Sequence, residues 1–137
     1  MSESGLPAPV PIVHPEAKPY WEGAAEGRLS LQRCGDCVTV IWYPRGICPE
    51  CGSKRLGWFD ATGRGTIYSY TVVRRGAMGP YSEATPYVVA YVELEEGPRV
   101  MTNIVHCDVD SVGVGDAVRA VFDPTGEGSA LVRFRPE

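Results

Sequence analysis

The spacing of apolar and polar positions divides the chain near residue 60. Beyond it the pattern has period two. Thr66–Val73 is rich in β-branched and aromatic residues and predicts a strand. Pro86–Leu94 predicts a second strand, and Glu95-Glu96-Gly97-Pro98 a turn that closes a hairpin with a third at Arg99–Val105. After a loop at Val112–Asp116, Ala117–Phe122 and Ala130–Phe134 predict the fourth and fifth strands, joined through Asp123-Pro124-Thr125-Gly126. No helical period longer than two turns follows residue 30. Five short antiparallel strands predict a small barrel, and the OB-fold is the five-stranded choice. The fold class expected is therefore mainly β, with a short N-terminal helix, a four-Cys ribbon and a five-stranded OB-fold barrel.

Upstream the pattern differs. In YWEGAAEGRLSLQ, residues 20–32, Tyr20, Trp21, Ala24, Ala25 and Leu29 fall near one helical face, while Gly23 and Gly27 weaken it. A short helix is expected at about 19–26. The alternation Leu29-Ser30-Leu31-Gln32 then leads into the first pair of cysteines. Before residue 20 stand Pro7, Pro9, Pro11, Pro15 and Pro19. Prolines so spaced favour extended backbone over helix, so residues 1–19 read as an arm or linker, either a free tail or a strap on a partner. The divisions expected are 1–19, 20–60 and 61–137.

Composition narrows the class. The chain has 137 residues, 44% apolar and 22% charged, close to a globular average and unlike a disordered chain. Its 16 Gly and 12 Pro suit short strands and turns. No apolar stretch reaches the ~18 residues of a membrane helix, and the N-terminus shows neither a basic n-region nor an apolar h-region. A cytoplasmic protein is expected. The net charge of −4 and pI near 5.2 count against nucleic acid as a partner.

The candidate chemistry lies in the cysteines. Four of the five form two Cys-x-x-Cys pairs, Cys34/Cys37 and Cys48/Cys51. Such pairs make tight turns with backbone amides aimed at the sulfurs, and two turns facing each other give a tetrahedral site suited to Zn²⁺, with iron the competing metal. Gly35 and Gly52 are expected to supply left-handed backbone. Four thiolates fill the shell, so the metal would be structural and would stabilise a segment too small for a core of its own. A redox dithiol would need only one pair. Cys107 lies at the end of a predicted strand beside His106. Neighbours in a strand face opposite ways, so the two read as a passive pair and not as nucleophile and base. His14 lies in the arm without a visible partner. No catalytic triad, phosphate loop or nucleotide fingerprint is present, and no catalytic residue is assigned.

Two further features have paired readings. Tyr68 and Tyr70 are expected to share one strand face, as are Tyr87 and Tyr91. Such aromatics stack bases on some OB-folds, but cross-strand packing is the reading preferred here. The loop Arg74-Arg75-Gly76-Ala77-Met78-Gly79-Pro80-Tyr81 either clamps ligand phosphates while Met78 and Tyr81 cover an apolar part, or merely connects strands.

Taken in order, YWEGAAEGRLSLQRCGDC, YPRGICPECGS, GRGTIYSYTVV, PYVVAYVELEEGPRV, VGVGDAVRAVFD and LVRFRP resemble the acyl-CoA-associated OB-fold proteins that carry an N-terminal rubredoxin-like zinc ribbon. The resemblance runs from about residue 19 to the end. It implies a non-catalytic accessory subunit of a thiolase-like enzyme: a thiolase, an acyl-CoA synthase, or an aldolase that shortens steroid side chains in lipid degradation. Structural Zn²⁺ on the four cysteines, acyl-CoA shared with the partner, and a heterotetramer are implied with it, with neither nucleic acid nor membrane involved. The acyl-CoA ligand candidates, chosen by placement and chemistry, are Arg45, Arg74, Arg75, Met78 and Tyr81. A free-standing acyl-CoA or lipid-binding module is the alternative, and a nucleic-acid-binding ribbon and barrel a more distant one. Some members are fused to a hydratase domain. This sequence has none, and reads as a free-standing subunit or a piece of a longer chain. The acyl group and the partner's reaction are not legible.

Overall fold

A computed structural model describes residues 4–137. The arm runs extended to a single 3₁₀ turn at Pro15–Ala17, followed by helix α1, Lys18–Ala25. Five prolines do not keep the first 19 residues from helix: Pro15 and Pro19 sit in first-turn positions, where no intrahelical N–H is required. Gly27, at φ 78°, turns the chain out of the helix into the ribbon.

The ribbon is a three-stranded antiparallel sheet. β1 (Ser30–Cys34) lies between β2 (Val40–Ile41) and β3 (Leu56–Asp60), with Gln32 opposite Ile41 on one side and Trp58 on the other. The barrel follows: β4 (Arg64–Val73), β5 (Tyr87–Leu94), β6 (Arg99–Ile104), β7 (Ala117–Pro124) and β8 (Ala130–Pro136). It closes in the order β4-β5-β6-β8-β7, with β7 returning to β4. Closure removes the sheet edges that an open five-stranded sheet would expose.

The fold class is that read from the sequence, with one correction. The strands are not all antiparallel: β6 and β8 run parallel where Ile104 meets Phe134, because the chain crosses the barrel between them through β7. A hydrophobic pattern carries period, not direction.

A register shift between Ile67 and Ser69 makes a β-bulge at Tyr68. Bulges bend a strand and reset which face each residue takes. Tyr68 lies on the outer face under the Arg99 guanidinium, 3.7 Å from the ring centroid. Tyr70 pairs with Ala90, a core position. The two tyrosines expected on one face are therefore divided. Glycine is required at Gly65, in the β4 pairing with β5. A Cβ there would overlap the Glu93 carbonyl oxygen and stand 2.8 Å from Val92 Cγ1.

Ile67, Val88, Val92, Val118 and Phe134 fill the barrel. Tyr20 from α1 and Leu29 and Leu31 from the ribbon join the same cluster. Ribbon, helix and barrel thus share one core, and α1 packs on β1, β7 and β8. A smaller cluster of Cys34, Ile41 and Cys48 forms around the thiols. None of the described helices is long and apolar enough to cross a membrane.

Candidate metal centre and barrel surface

Two chain reversals with matching hydrogen bonds build the four-sulfur cluster. In the first, the Val38 N–H donates to the Cys34 carbonyl (3.0 Å) and the Cys34 N–H to the Thr39 carbonyl (2.9 Å). In the second, the Gly52 N–H donates to the Cys48 carbonyl (2.9 Å) and the Cys48 N–H to the Ser53 carbonyl (2.8 Å). The residue after the second cysteine of each pair takes left-handed backbone: Val38 at φ 60°, Gly52 at φ 78°. Gly52 does this without strain. In the first reversal Val38 takes the role expected of Gly35. Gly35 serves by size instead: its N–H donates to the Arg55 carbonyl (2.7 Å), and a Cβ would lie 3.0 Å from that oxygen.

The four Sγ atoms lie within 4.8 Å of one another. Cys34 and Cys51 are 3.6 Å apart, as are Cys37 and Cys48. A tetrahedral Zn²⁺ with Zn–S bonds of ~2.3 Å has sulfurs about 3.8 Å apart, so the donor set fits this ion. The backbone N–H groups of Asp36 and Cys37 donate to Cys34 Sγ at 3.4 and 3.5 Å. The Cys37 N–H contributes most to drawing the Cys34 thiol down to about 6, against burial. The Thr39 hydroxyl lowers Cys37. Cys51 is pushed up to about 12: a backbone N–H at Ser53 lowers it, but the neighbouring thiols and burial prevail. The bare cluster therefore divides its protons unevenly, as crowded thiols must, and a divalent cation would favour thiolate at all four.

Residues the sequence did not single out hold this centre in place. Gln32, buried in β1, spans the Arg45 backbone: its Nε2 donates to the carbonyl and its Oε1 accepts the N–H, both at 2.8 Å. Asp36 joins Arg55 (2.7 Å) and Ser53 across the two reversals.

The acyl-CoA candidates separate. Arg45 is exposed in the ribbon, and no hydrogen bond or ion pair among the described residues joins it to the loop at 74–86. In that loop Arg74 is paired with Asp110 at 2.6 Å. Arg75 is exposed, and Met78 stands 85% exposed. Tyr81 packs on Tyr87 (centroids 5.4 Å apart), and its hydroxyl accepts a hydrogen bond from Arg133 Nη2 at 2.9 Å.

That contact reveals a node no sequence pattern indicated. Arg133 is 1% exposed. Nη1 donates to Asp123 (2.5 Å), Nη2 to the Pro7 carbonyl (2.7 Å) as well as to Tyr81, and Nε to Asn103 (3.3 Å). The arm seals it, with Leu6 buried and the Ser4 hydroxyl donating to Asp123 at 2.6 Å. Beside the node, Tyr81, Tyr87, Val89 and Met101 line a shallow depression of about 240 Å³. Tyr91 and Met101 continue it as an exposed apolar strip on β5 and β6.

Cys107 and His106 lie beyond the end of β6, in a bend where His106 has φ 58°. Strand alternation therefore does not govern them. Burial raises the Cys107 thiol above its ordinary range, with Asp108 adding to it, which is opposite to what a nucleophile needs.

A four-thiol ribbon packed on a closed five-stranded OB barrel defines the class of protein. The ChsH2 rubredoxin-like zinc ribbon domain matches residues 21–57, and the ChsH2 C-terminal OB-fold domain matches residues 58–123. The chain belongs to this family. It is 44% identical over 95 residues to a DUF35 domain-containing scaffold protein of Methanothermobacter thermautotrophicus, covering 69% of this chain and 71% of that one. It is 37% identical over 128 residues to a probable enoyl-CoA hydratase alpha subunit of Thermomonospora curvata, covering 93% of this chain but only 40% of that subunit. Among solved structures it resembles a chain of the Ltp2-ChsH2(DUF35) aldolase, with 36% identity, a TM-score of 0.82, and coverage of 93% of this chain and 98% of that one.

Proposed function

We propose that this protein is a non-catalytic accessory subunit that docks on a thiolase-like acyl-CoA enzyme and forms part of the wall of its acyl-CoA channel. The carrying observation is the likeness along nearly the full length of both chains to a chain of the Ltp2-ChsH2(DUF35) aldolase. Cys107, outside the cluster, has its thiol raised by burial and by Asp108, which suits a passive residue.

In this reading Zn²⁺ on Cys34, Cys37, Cys48 and Cys51 is structural. It holds the two reversals together and so fixes the ribbon against the barrel. The apolar strip of Tyr87, Tyr91 and Met101 meets the partner, since soluble monomers seldom leave large apolar patches uncovered. Met78 and Tyr81 border the acyl group from the loop above it, and Arg45, Arg74 and Arg75 lie at the periphery. Two such subunits flank a partner dimer in a cytoplasmic heterotetramer, serving the breakdown of lipid or steroid side chains.

The test is purification of the tagged chain from its native host, with identification of the proteins that follow it. A thiolase-like enzyme in stoichiometric amount supports the proposal. Recovery of the chain with no such enzyme, from cells that contain one, overturns it.

A further inference from the structure

Three arginines stand side by side across three adjacent strands. Arg64 of β4 is the register partner of Arg119 of β7, and Arg119 is the register partner of Arg135 of β8. Direct cross-strand partners project from the same face, and like charges so placed repel. A protein with a net charge of −4 has no general need for such a row.

The row lines a cleft of about 570 Å³ between the barrel and the segment linking α1 to β1, a volume in the range of small-molecule sites. Its carboxylates neutralise it only in part. Asp60 is engaged by Arg28 at 2.9 Å, and Glu137 forms a long ion pair with Arg64 Nε at 3.9 Å. Among the described residues neither Arg119 nor Arg135 joins an ion pair. The Arg135 Nε–H is moreover buried and has no hydrogen-bond acceptor. An unsatisfied buried donor is costly, and one beside two further guanidinium groups suits an acceptor with several anionic oxygens.

We propose that this cleft binds a phosphate-class oxyanion, gripped by Arg119 and Arg135 with Arg64 at the rim. Guanidinium forks match phosphate oxygens in pairs, and a diphosphate carries the charge to balance a row of three, where a single carboxylate does not. The arginines are not those of the 74–86 loop, and the site stands whether or not the chain docks on a thiolase-like enzyme. Its failure and the failure of that reading are therefore separate results.

Calorimetric titration of the full chain with inorganic pyrophosphate at low ionic strength tests it. One saturable site is expected. Arg119→Gln, an exposed change that does not threaten the fold, should weaken binding by about tenfold, the worth of a charge-assisted hydrogen bond. Arg119→Gln with Arg135→Gln should abolish saturation. Lys54→Gln, an exposed change in the ribbon that removes the same charge, should leave binding within about twofold. No saturable binding, or equal binding by wild type and Arg119→Gln, overturns the proposal. Parallel titrations with ADP and coenzyme A identify the source of the phosphate. Tighter binding of coenzyme A, lost on the same substitution, assigns it to a coenzyme A ester; equal binding of all three assigns it to the free diphosphate unit. Either result supports the site.

Discussion

Arg133 and Asp123 face each other across the β7–β8 pair with Nη1 2.5 Å from Oδ2, and both side chains are almost wholly buried. The pair lies on the outer face of the barrel, yet the arm and Tyr81 cover it. One guanidinium thereby joins the start of the chain, the β4–β5 loop and two strands. Removing one member of a buried pair strands the other charge and costs about 3–5 kcal/mol, whereas replacing both with apolar residues costs much less. Arg133→Met is thus expected to lower unfolding free energy by that amount, and Arg133→Met with Asp123→Leu to recover most of it, as measured by denaturant titration.

Two of the four loop residues singled out in the sequence, Tyr81 and Met78, should behave differently. Tyr81→Phe deprives the Arg133 guanidinium of an acceptor, and a cost of about 1–3 kcal/mol is expected. Met78 is exposed, so Met78→Ala should change stability by no more than about 0.5 kcal/mol. Any effect of Met78→Ala should appear in acyl-CoA turnover by the proposed complex.

One equivalent of zinc per chain is expected by metal analysis. Cys48→Ser, at a buried ligand, should abolish it, and Cys107→Ser should leave it unchanged. Because Leu29 and Leu31 join the barrel core, metal removal should lower the melting temperature of the whole molecule and not only of the ribbon.

Gly65→Ala would place a methyl group against the Glu93 carbonyl. The obstacle is backbone, which cannot rotate aside. A loss of roughly 2 kcal/mol or more is expected, measured by thermal unfolding.

Burial raises the Tyr20 phenol to about 12 from an ordinary value of 10. The folded state then holds a proton that the unfolded chain releases. The stabilisation is complete below pH 10 and lost as pH rises toward 12, up to about 3 kcal/mol for a two-unit shift. Tyr20→Phe should flatten the decline in stability over this window.

The barrel was legible because period-two alternation, turn residues and closure all agree. Arg64 and Gly65 fell outside the predicted first strand because neither has strand propensity; pairing across the barrel recruits them. The bulge at Tyr68 and the parallel contact of Ile104 with Phe134 depend on closure, which no local pattern encodes. The cysteine cluster was readable from spacing alone. Its left-handed positions were half readable: Gly52 signals one, but Val38 gives no sign of adopting the same backbone. Arg133 reads as an exposed strand residue, since the arm and Tyr81, which cover it, both lie far away in sequence.

The proposed function makes the chain a subunit of a thiolase-like assembly. Its most direct test is light scattering on the chain co-expressed with the thiolase-like enzyme from the same host, beside Met101→Glu, a change on the exposed strip. One species is expected, heavier than the enzyme alone by two copies of a 14.9 kDa chain and dissociated by the substitution. Separate elution of a 14.9 kDa monomer and free enzyme would contradict it.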